Sequence, residues 1–479
     1  MSNLLSSLVS SAHALGVFDL ALLVSQNNVA NASTPGYAAQ RLILQAADFD
    51  TPQGLVGGLM AGEIQSARDL YAEQGVRRGV ELLGNSAQMA ESLLAIEPYF
   101  PVTGGQGIPG ALNNLFRSFS AWSLEPNSQT TRQSVIDSGQ RLTEAFQQTA
   151  ANLANALTDA EQQLRQTVDE INRLGAALQK YNVDRQQGGQ NDAGLDTKIH
   201  TALEQLSELV SFTPLFRPDG SVTVLIGGQS PLVIGQNLYQ VSVGFGMPTD
   251  PPPIYAGAPT PARLFSSGGN EITALVSQGR LAGLLEVRND VLPSLGGGVY
   301  NAGDLNVLAK FVADRVNGIL TSSQISAGPP PVAGVPMFAY DLTNDAAVAR
   351  TISLVPGITA AQLASISPGP PFVMNGAALR LANLANPQKD EDKIDGYSFV
   401  EFYGRVAGRV GKLLSDARDS QDYLSQVAAQ ARSLRSQLSG VSLDEEAILV
   451  IEFQRAYQAN ARVVTVLNEL TQTVIDMMR

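Results

Sequence analysis

The chain contains no cysteine. That excludes disulfides, thiolate metal sites and thiol nucleophiles together. Charge is also scarce: 16% of residues are Asp, Glu, Lys or Arg, against roughly 25% in an average soluble domain. Gln, Asn, Ser and Thr supply polarity instead, a surface suited to close packing of many copies. No Lys or Arg precedes Arg41. A cleaved secretory signal, which needs a basic n-region and an apolar core, is therefore not expected. No unbroken apolar run approaches the roughly 18–20 residues of a membrane span, so no span is expected either. The net charge is −13 and there is no Lys/Arg cluster. A nucleic-acid partner, which needs basic patches, is not expected.

Signs of chemistry are equally sparse. The two histidines, His13 and His200, stand in no pattern with a nearby acid or nucleophile. There is no Gly-x-Ser-x-Gly elbow. Gly411-Lys412 lacks the upstream glycine and following Ser/Thr of a phosphate loop. Lys389 to Gly396 is acidic, but both possible registers put a wrong residue at a calcium-ligand or glycine position. Asn31-Ala32-Ser33 is a formal glycosylation sequon inside a turn and carries no weight. The expectation is no enzyme, no catalytic residue, no cofactor and no metal.

What is present lies at the ends. Residues 3–30 read as a helix with a seam at Leu4, Leu8, Leu15, Phe18 and Leu22, alternating four and three residues through Ser11. It should stop before Pro35. Thr34-Pro35-Gly36 then reads as a turn. Ser442-Leu443-Asp444-Glu445 reads as a capping box, with Ser442, Asp444 and Glu445 at a positive helix N-terminus. The helix it opens has a seam at Leu449, Phe453, Ala456, Asn460, Val463, Leu467, Leu470, Val474 and Met477, in which Asn460 alone is polar. A buried Asn can fix register; a solvent-facing Asn is the alternative. Short isolated helices are marginal in water. The terminal segments are therefore expected to order on assembly, an ordinary intramolecular pair being the alternative.

Between the ends, Leu42 to Leu44 with the glycines at 54, 57 and 58 suggests a short hairpin. Glu63 to Ile96 reads as helix, Gly105 to Pro109 as loop, and 111–180 as helices broken at Glu125-Pro126-Asn127. Leu157 to Leu178 has coiled-coil character, and Leu195 to Val210 is a further helix. Ser221 to Ile226 and Leu238 to Val243 are strand-like. Glu271 to Val287, Asp304 to Leu320 and Ser398 to Gln437 read as helical. The expected fold is mainly α with a β-rich insertion. Residues 1–40 and 440–479 form a paired-helix, coiled-coil inner domain. Residues 41–211, 266–320 and 377–439 form a long-helix middle domain, and 212–265 with 321–376 a variable β-rich outer domain.

Two stretches resemble a known family. Ala30-Asn31-x-x-Thr34-Pro35-Gly36-Tyr37 is similar to the N-terminal signature of bacterial flagellar axial proteins: rod, hook and first hook-associated proteins. Ser439 to Ala447 and Phe453 to Val463 resemble the corresponding C-terminal stretches of the hook-associated branch. Strong resemblance covers about 80 residues, all at the ends. It implies a structural subunit joining hook to filament, self-assembled into a ring through its terminal helices. It further implies hook protein and the third hook-associated protein as neighbours, an export chaperone, and passage through the flagellar type III export apparatus to the cell exterior. A rod or hook protein remains the alternative within the class. A cell-wall-acting enzyme carried on axial-protein termini is the alternative outside it; a catalytic constellation in 212–376 would mark it, and none is visible.

Overall fold

A computed structural model describes residues 2–48, 57–102, 105–188, 192–248, 251–328 and 330–477. Helix α1 (Ser2–Asn31) leads into a hairpin of β1 (Gln40–Ala46) and β2 (Leu59–Ser66), antiparallel with Gln40 opposite Ser66. Gly54, which helped suggest this hairpin, lies outside the described residues. The helix expected from Glu63 starts later: α2 spans Leu70–Ile96, and the Asp69 carboxylate caps it by accepting from the Ala72 N–H at 2.8 Å. Pairing with β1 holds residues 63–66 extended, a non-local effect that overrides their local pattern.

Helix α3 (Gly107–Leu124) begins inside the stretch expected as loop, and α4 (Gln129–Gln186) follows the break at Pro126. α4 is 58 residues long, about 87 Å at 1.5 Å per residue. It runs through both main cores. Its first half packs Val135, Leu142, Phe146 and Leu153 with α3, the end of α2 and later helices. Its second half packs Leu164, Val168, Ile171, Leu174 and Leu178 against α5 (Ala193–Leu209) and a four-stranded sheet. The sheet has the order β3 (Phe212–Phe216), β4 (Val222–Ile226), β5 (Ser230–Ile234), β6 (Asn237–Leu238). A separate pair joins β7 (Ser242–Gly244) to β8 (Arg263–Phe265).

Helix α6 (Arg280–Glu286) begins nine residues into the helix expected from Glu271. Gly279 at φ +85° lies against the Leu209–Val210 backbone, so the chain turns there and the helix starts after it. A π turn over Val287–Val291 connects α6 to α7 (Leu292–Gly296). Then come α8 (Asp304–Thr321), the pair β9 (Gln324–Ser326) and β10 (Val332–Ala333), β11 (Phe338–Ala339), α9 (Val348–Thr351), β12 (Ser353–Leu354), which pairs with β11, and α10 (Gly376–Asn383). Met337, Phe338, Val348, Ile352 and Leu363 belong to the first core, whereas Val222, Val224, Leu232 and Leu264 belong to the second. The strands of 212–265 and 321–376 thus sit on different cores and share no sheet among the described residues, although the two segments meet in a small cluster where Ala258 packs with Ala346 and Val299 and Asn344 Nδ2 donates to the Ala256 carbonyl at 3.1 Å.

Helix α11 (Phe399–Ser439) opens with a reciprocal capping box between Ser398 and Glu401 and returns along α2. It ends at Gly440, and α12 (Leu443–Met477) follows. The fold is mainly α with small sheets in the middle of the chain.

Candidate functional site: the terminal helix pair

α1 and α12 pack side by side and antiparallel. Asn28, near the end of α1, meets Glu446, in the first turn of α12, while Ala21 and Val24 lie with Leu449 and Phe453 around one cavity. Within the chain the two ends do form a pair. The pair is thinly buried, however. On α1 the buried line is Ala14, Val17, Ala21, Ser25 and Asn28; on α12 Glu446 is the buried side chain among the described residues.

The expected N-terminal seam of Leu4, Leu8, Leu15, Phe18 and Leu22 is half-buried throughout, one position round the helix from the buried line. The C-terminal seam divides. Phe453, Asn460, Leu467 and Val474 form a half-buried line, and Leu449 and Ala456 join it early in the helix. Val463, Leu470 and Met477 turn outward and are 46%, 49% and 80% exposed. The cause is the period: a straight helix drifts about 20° per heptad against a strict 3.5 repeat, so one of two seam lines leaves the partner. Asn460 stays in the half-buried line and donates from Nδ2 to the Ala456 carbonyl of its own helix at 3.0 Å.

Apolar exposure on the pair is wide. Leu5, Val9, Leu23 and Val29 of α1 and Ile448, Ile451 and Val466 of α12 are exposed. By length and composition α1 could even cross a membrane, with a mean hydropathy of 1.7 in its most apolar window within Leu4–Asn31. The expectation that no stretch would qualify rested on unbroken apolar runs. Serines break those runs without lowering the average enough.

The turn motif closes the base of the pair. The Thr34 N–H donates to the Asn31 carbonyl at 2.9 Å and the Tyr37 N–H to the Thr34 carbonyl at 3.1 Å, with Gly36 at φ +76°. Proline second and a left-handed glycine third is the type II pattern. Asn31 Nδ2 donates to the Asn27 carbonyl and Thr34 Oγ1 to Asn31 Oδ1, which ties the motif to the last turn of α1. Ala30 and Pro35 are exposed. Ser442 Oγ accepts from the Glu445 N–H at 3.4 Å, and Asp444 and Glu445 are exposed in the first turn of α12.

Asn28 is the centre of this base, and the sequence did not single it out. Its amide makes four hydrogen bonds. Nδ2 donates to the Gln40 carbonyl and to Glu446 Oε1, both at 2.8 Å. Oδ1 accepts from the Gln40 N–H and the Tyr37 hydroxyl, both at 2.9 Å. Two donors and two acceptors are the full capacity of the group. Burial, with the Glu446 charge beside it, raises the Tyr37 phenol above its ordinary value. One amide thus joins α1, the turn motif, β1 and α12. The available signal was a polar residue one helical step beyond the apolar positions of α1.

A second junction fastens the pair to the long helices. Buried Ser439 accepts at its carbonyl from the Ala39 N–H and at its hydroxyl from the Asp69 N–H, both at 2.9 Å. Arg68 donates to the Gly36 carbonyl at 3.0 Å and to Asp196 at 2.9 Å, and pairs with buried Glu73. Arg435 of α11 bonds Glu204 of α5 at 2.7 Å and reaches Glu73 at 3.3 Å. Burial opposes ionisation of Asp196 and Glu204, but the facing arginines outweigh it, and both carboxyls are held below the usual range. His200 lies buried between Asp196 and Glu73 and stacks on Phe216 with centroids 5.3 Å apart. Burial, then Arg68, pushes its pKa down to about 3, so it is neutral at physiological pH. His13 is exposed on α1.

Among the described residues no group of three or more His, Cys, Asp or Glu could hold a metal ion. In the acidic loop, Asp392 pairs with Arg315, and Ile394 bridges to Tyr397 across a tight turn through Asp395 and Gly396.

Residues 435–477 match the model of the flagellar basal body rod FlgEFG protein C-terminal region. Flagellar hook-associated protein 1 of Bacillus subtilis (strain 168) is 26% identical over 519 aligned positions, covering 100% of this chain and 99% of that protein. The solved structure of the flagellar hook junction protein FlgK from Burkholderia pseudomallei shares the fold, with a TM-score of 0.63 at 13% identity over 78% of this chain and 100% of that one. The model of the flagellar hook-associated protein FlgK helical domain matches residues 93–336, half of the chain, and the chain belongs to that family.

Proposed function

We propose that this chain is a structural subunit of the bacterial flagellum that joins hook to filament and assembles through its terminal helices. The observation that carries this is the helix pair: α1 and α12 are held in register by a saturated amide yet leave long apolar lines uncovered on both helices. Large uncovered apolar surface marks an interaction site. Residues 1–40 and 440–479 act as the assembly domain, and the long-helix region with its sheets stands outside it. Copies form a ring, with hook protein on one side and the third hook-associated protein on the other. An export chaperone keeps the C-terminal region from premature association, and the chain leaves through the flagellar type III apparatus. It carries no catalytic role.

The test is complementation. A flagellated bacterium that lacks its own first hook-associated protein and expresses this chain should regain filaments and swimming. Hooks that stay bare, with the chain exported and folded, would refute the proposal.

A further inference from the structure

α4 passes from the first core to the second between Ala160 and Leu164. Beside that passage the segments 257–260 and 344–350 meet over the helix and leave a cavity of about 400 Å³. That volume falls within the roughly 300–1,000 Å³ of small-molecule sites. No residue of α1, β1, β2 or α12 lines it among the described residues. Its lining is of two kinds. Leu153, Ala154 and Leu157 of α4 and Leu292 of α7 are apolar, whereas Glu161, Arg288, Asn344 and Arg350 bring charge and amide groups.

Arg288 is built in. It stands in the π turn Val287–Val291, a kind of turn that recurs at functional sites. Asn289 fixes this turn, bonding the Ala262 N–H at 2.8 Å and the Ala262 carbonyl at 2.9 Å. The Arg288 side chain is 1% exposed. Its Nε and Nη2 donate to Glu161 Oε1 at 3.1 and 2.6 Å, and Nη2 also to the Thr260 carbonyl at 2.8 Å. Its Nη1 has no hydrogen-bond partner, so a costly buried donor is left to spare. The charged lining is two arginines against one carboxylate, on a chain whose net charge is −13. Glu161 is already taken up by Arg288. Arg350 is exposed and in no ion pair among the described residues. Of the acids near it, Asp341 is bonded to Thr343, and Asp345 lines a neighbouring cavity with Lys310 and Asp314.

We propose that this cavity binds an acidic monosaccharide, a sugar ring bearing one carboxylate. Arg350 takes the carboxylate, which a guanidinium can grip with two parallel N–H bonds. Arg288 adds a second positive charge, held in place by Glu161. Glu161 Oε2 and the spare capacity of the Asn344 amide take ring hydroxyls. The apolar C–H face of the ring lies on Leu153, Ala154 and Leu157. Such a ligand is apolar on one face and polar round its edge, as the lining is. A bare phosphate would leave the apolar lining wet, and a neutral sugar would leave Arg350 unmatched. The site is separate from the terminal helices, so it stands apart from the assembly reading.

Isothermal titration of the full chain at low salt tests this. The probes are galacturonate, glucuronate and N-acetylneuraminate, with galactose and inorganic phosphate for comparison. At least one of the acids should bind, one per chain, about tenfold or more tightly than galactose or phosphate. Arg350→Glu should weaken that binding at least tenfold, and Ala154→Trp, which fills the mouth of the cavity, should abolish it. Both substituted residues are exposed, so both variants should melt with the parent. Binding of none of the three acids would overturn the inference. So would galactose or phosphate binding as tightly as the best acid. Acid binding that survives both substitutions would place the sugar elsewhere on the chain and overturn it too.

Discussion

Asn28→Ala should release the terminal helices while leaving the long helices folded. The substitution removes four hydrogen bonds at once. Gln40 loses partners at both its N–H and its carbonyl, each costing about 1–3 kcal/mol if left buried and unmade. The Tyr37 hydroxyl is half-buried and can turn to water, so its loss counts for little. Glu446 is the more serious case: its Oε2 has no hydrogen-bond partner, and Oε1 would lose the amide. Allowing for relaxation, the sum is about 4 kcal/mol. At 1.4 kcal/mol per factor of ten, that is roughly a thousandfold in the local opening equilibrium. Amide hydrogen exchange, resolved by peptide, reads it. Exchange in residues 2–31 and 443–477 should accelerate roughly a thousandfold, or to the unprotected limit, while 107–186 keeps its protection. Exchange within about threefold of the parent, or a parent whose terminal helices are already unprotected, would show that the amide does not hold the pair.

Leu467→Asp places a charge in the half-buried line of α12 and should abolish assembly with the melting of the long helices unchanged; filaments grown on this variant would remove the line from the interface. His200 binds its proton at about 3 in the folded chain and near 6.5 unfolded. The unfolded state therefore holds more protons between those values, and stability should fall as pH drops through that range, with Asp196 and Glu204 adding a further loss below about pH 4. His200→Leu should flatten the part of a Tm-against-pH curve between pH 6 and 4.5, and an unchanged slope would count against this account. Gly36→Ala forces a left-handed backbone on a residue whose Cβ would stand 3.0 Å from Thr201 Oγ1. The cost should be about 1–2 kcal/mol, visible as a lower urea midpoint for the hairpin and the end of α1.

Local elements were largely legible because their causes are local. Pro126 breaks α3 from α4, Ser398 and Glu401 cap α11, and Thr34-Pro35-Gly36 turns where it should. Departures occurred where a distant strand or backbone decided the outcome. Residues 63–66 have helical company after them, yet β1 holds them extended. Residues 271–279 fit a helical period, yet Gly279 against Leu209 delays the helix. The seams were legible as apolar lines, but not which line would face the partner, because that depends on the half-residue mismatch accumulating past Asn460. Asn28 and Glu446 stand 418 residues apart, and a single polar residue at the edge of an apolar seam gives no sign of what it will meet. The Arg68, Glu73, Asp196 and Arg435 junction gathers three helices and the loop before α2 and has no local pattern at all.

That separation also bears on synthesis. Asn28 is made 418 residues before Glu446, so the base of the helix pair closes only after the long intervening chain has been translated. A chain cut short anywhere before Glu446 would carry α1 with its amide unmatched and no second helix beside it. Such a fragment could fold its long helices and still be unable to present the paired surface. Synthesis of α12 is in this sense a checkpoint written into the fold: a copy without it cannot make the bond that closes the pair.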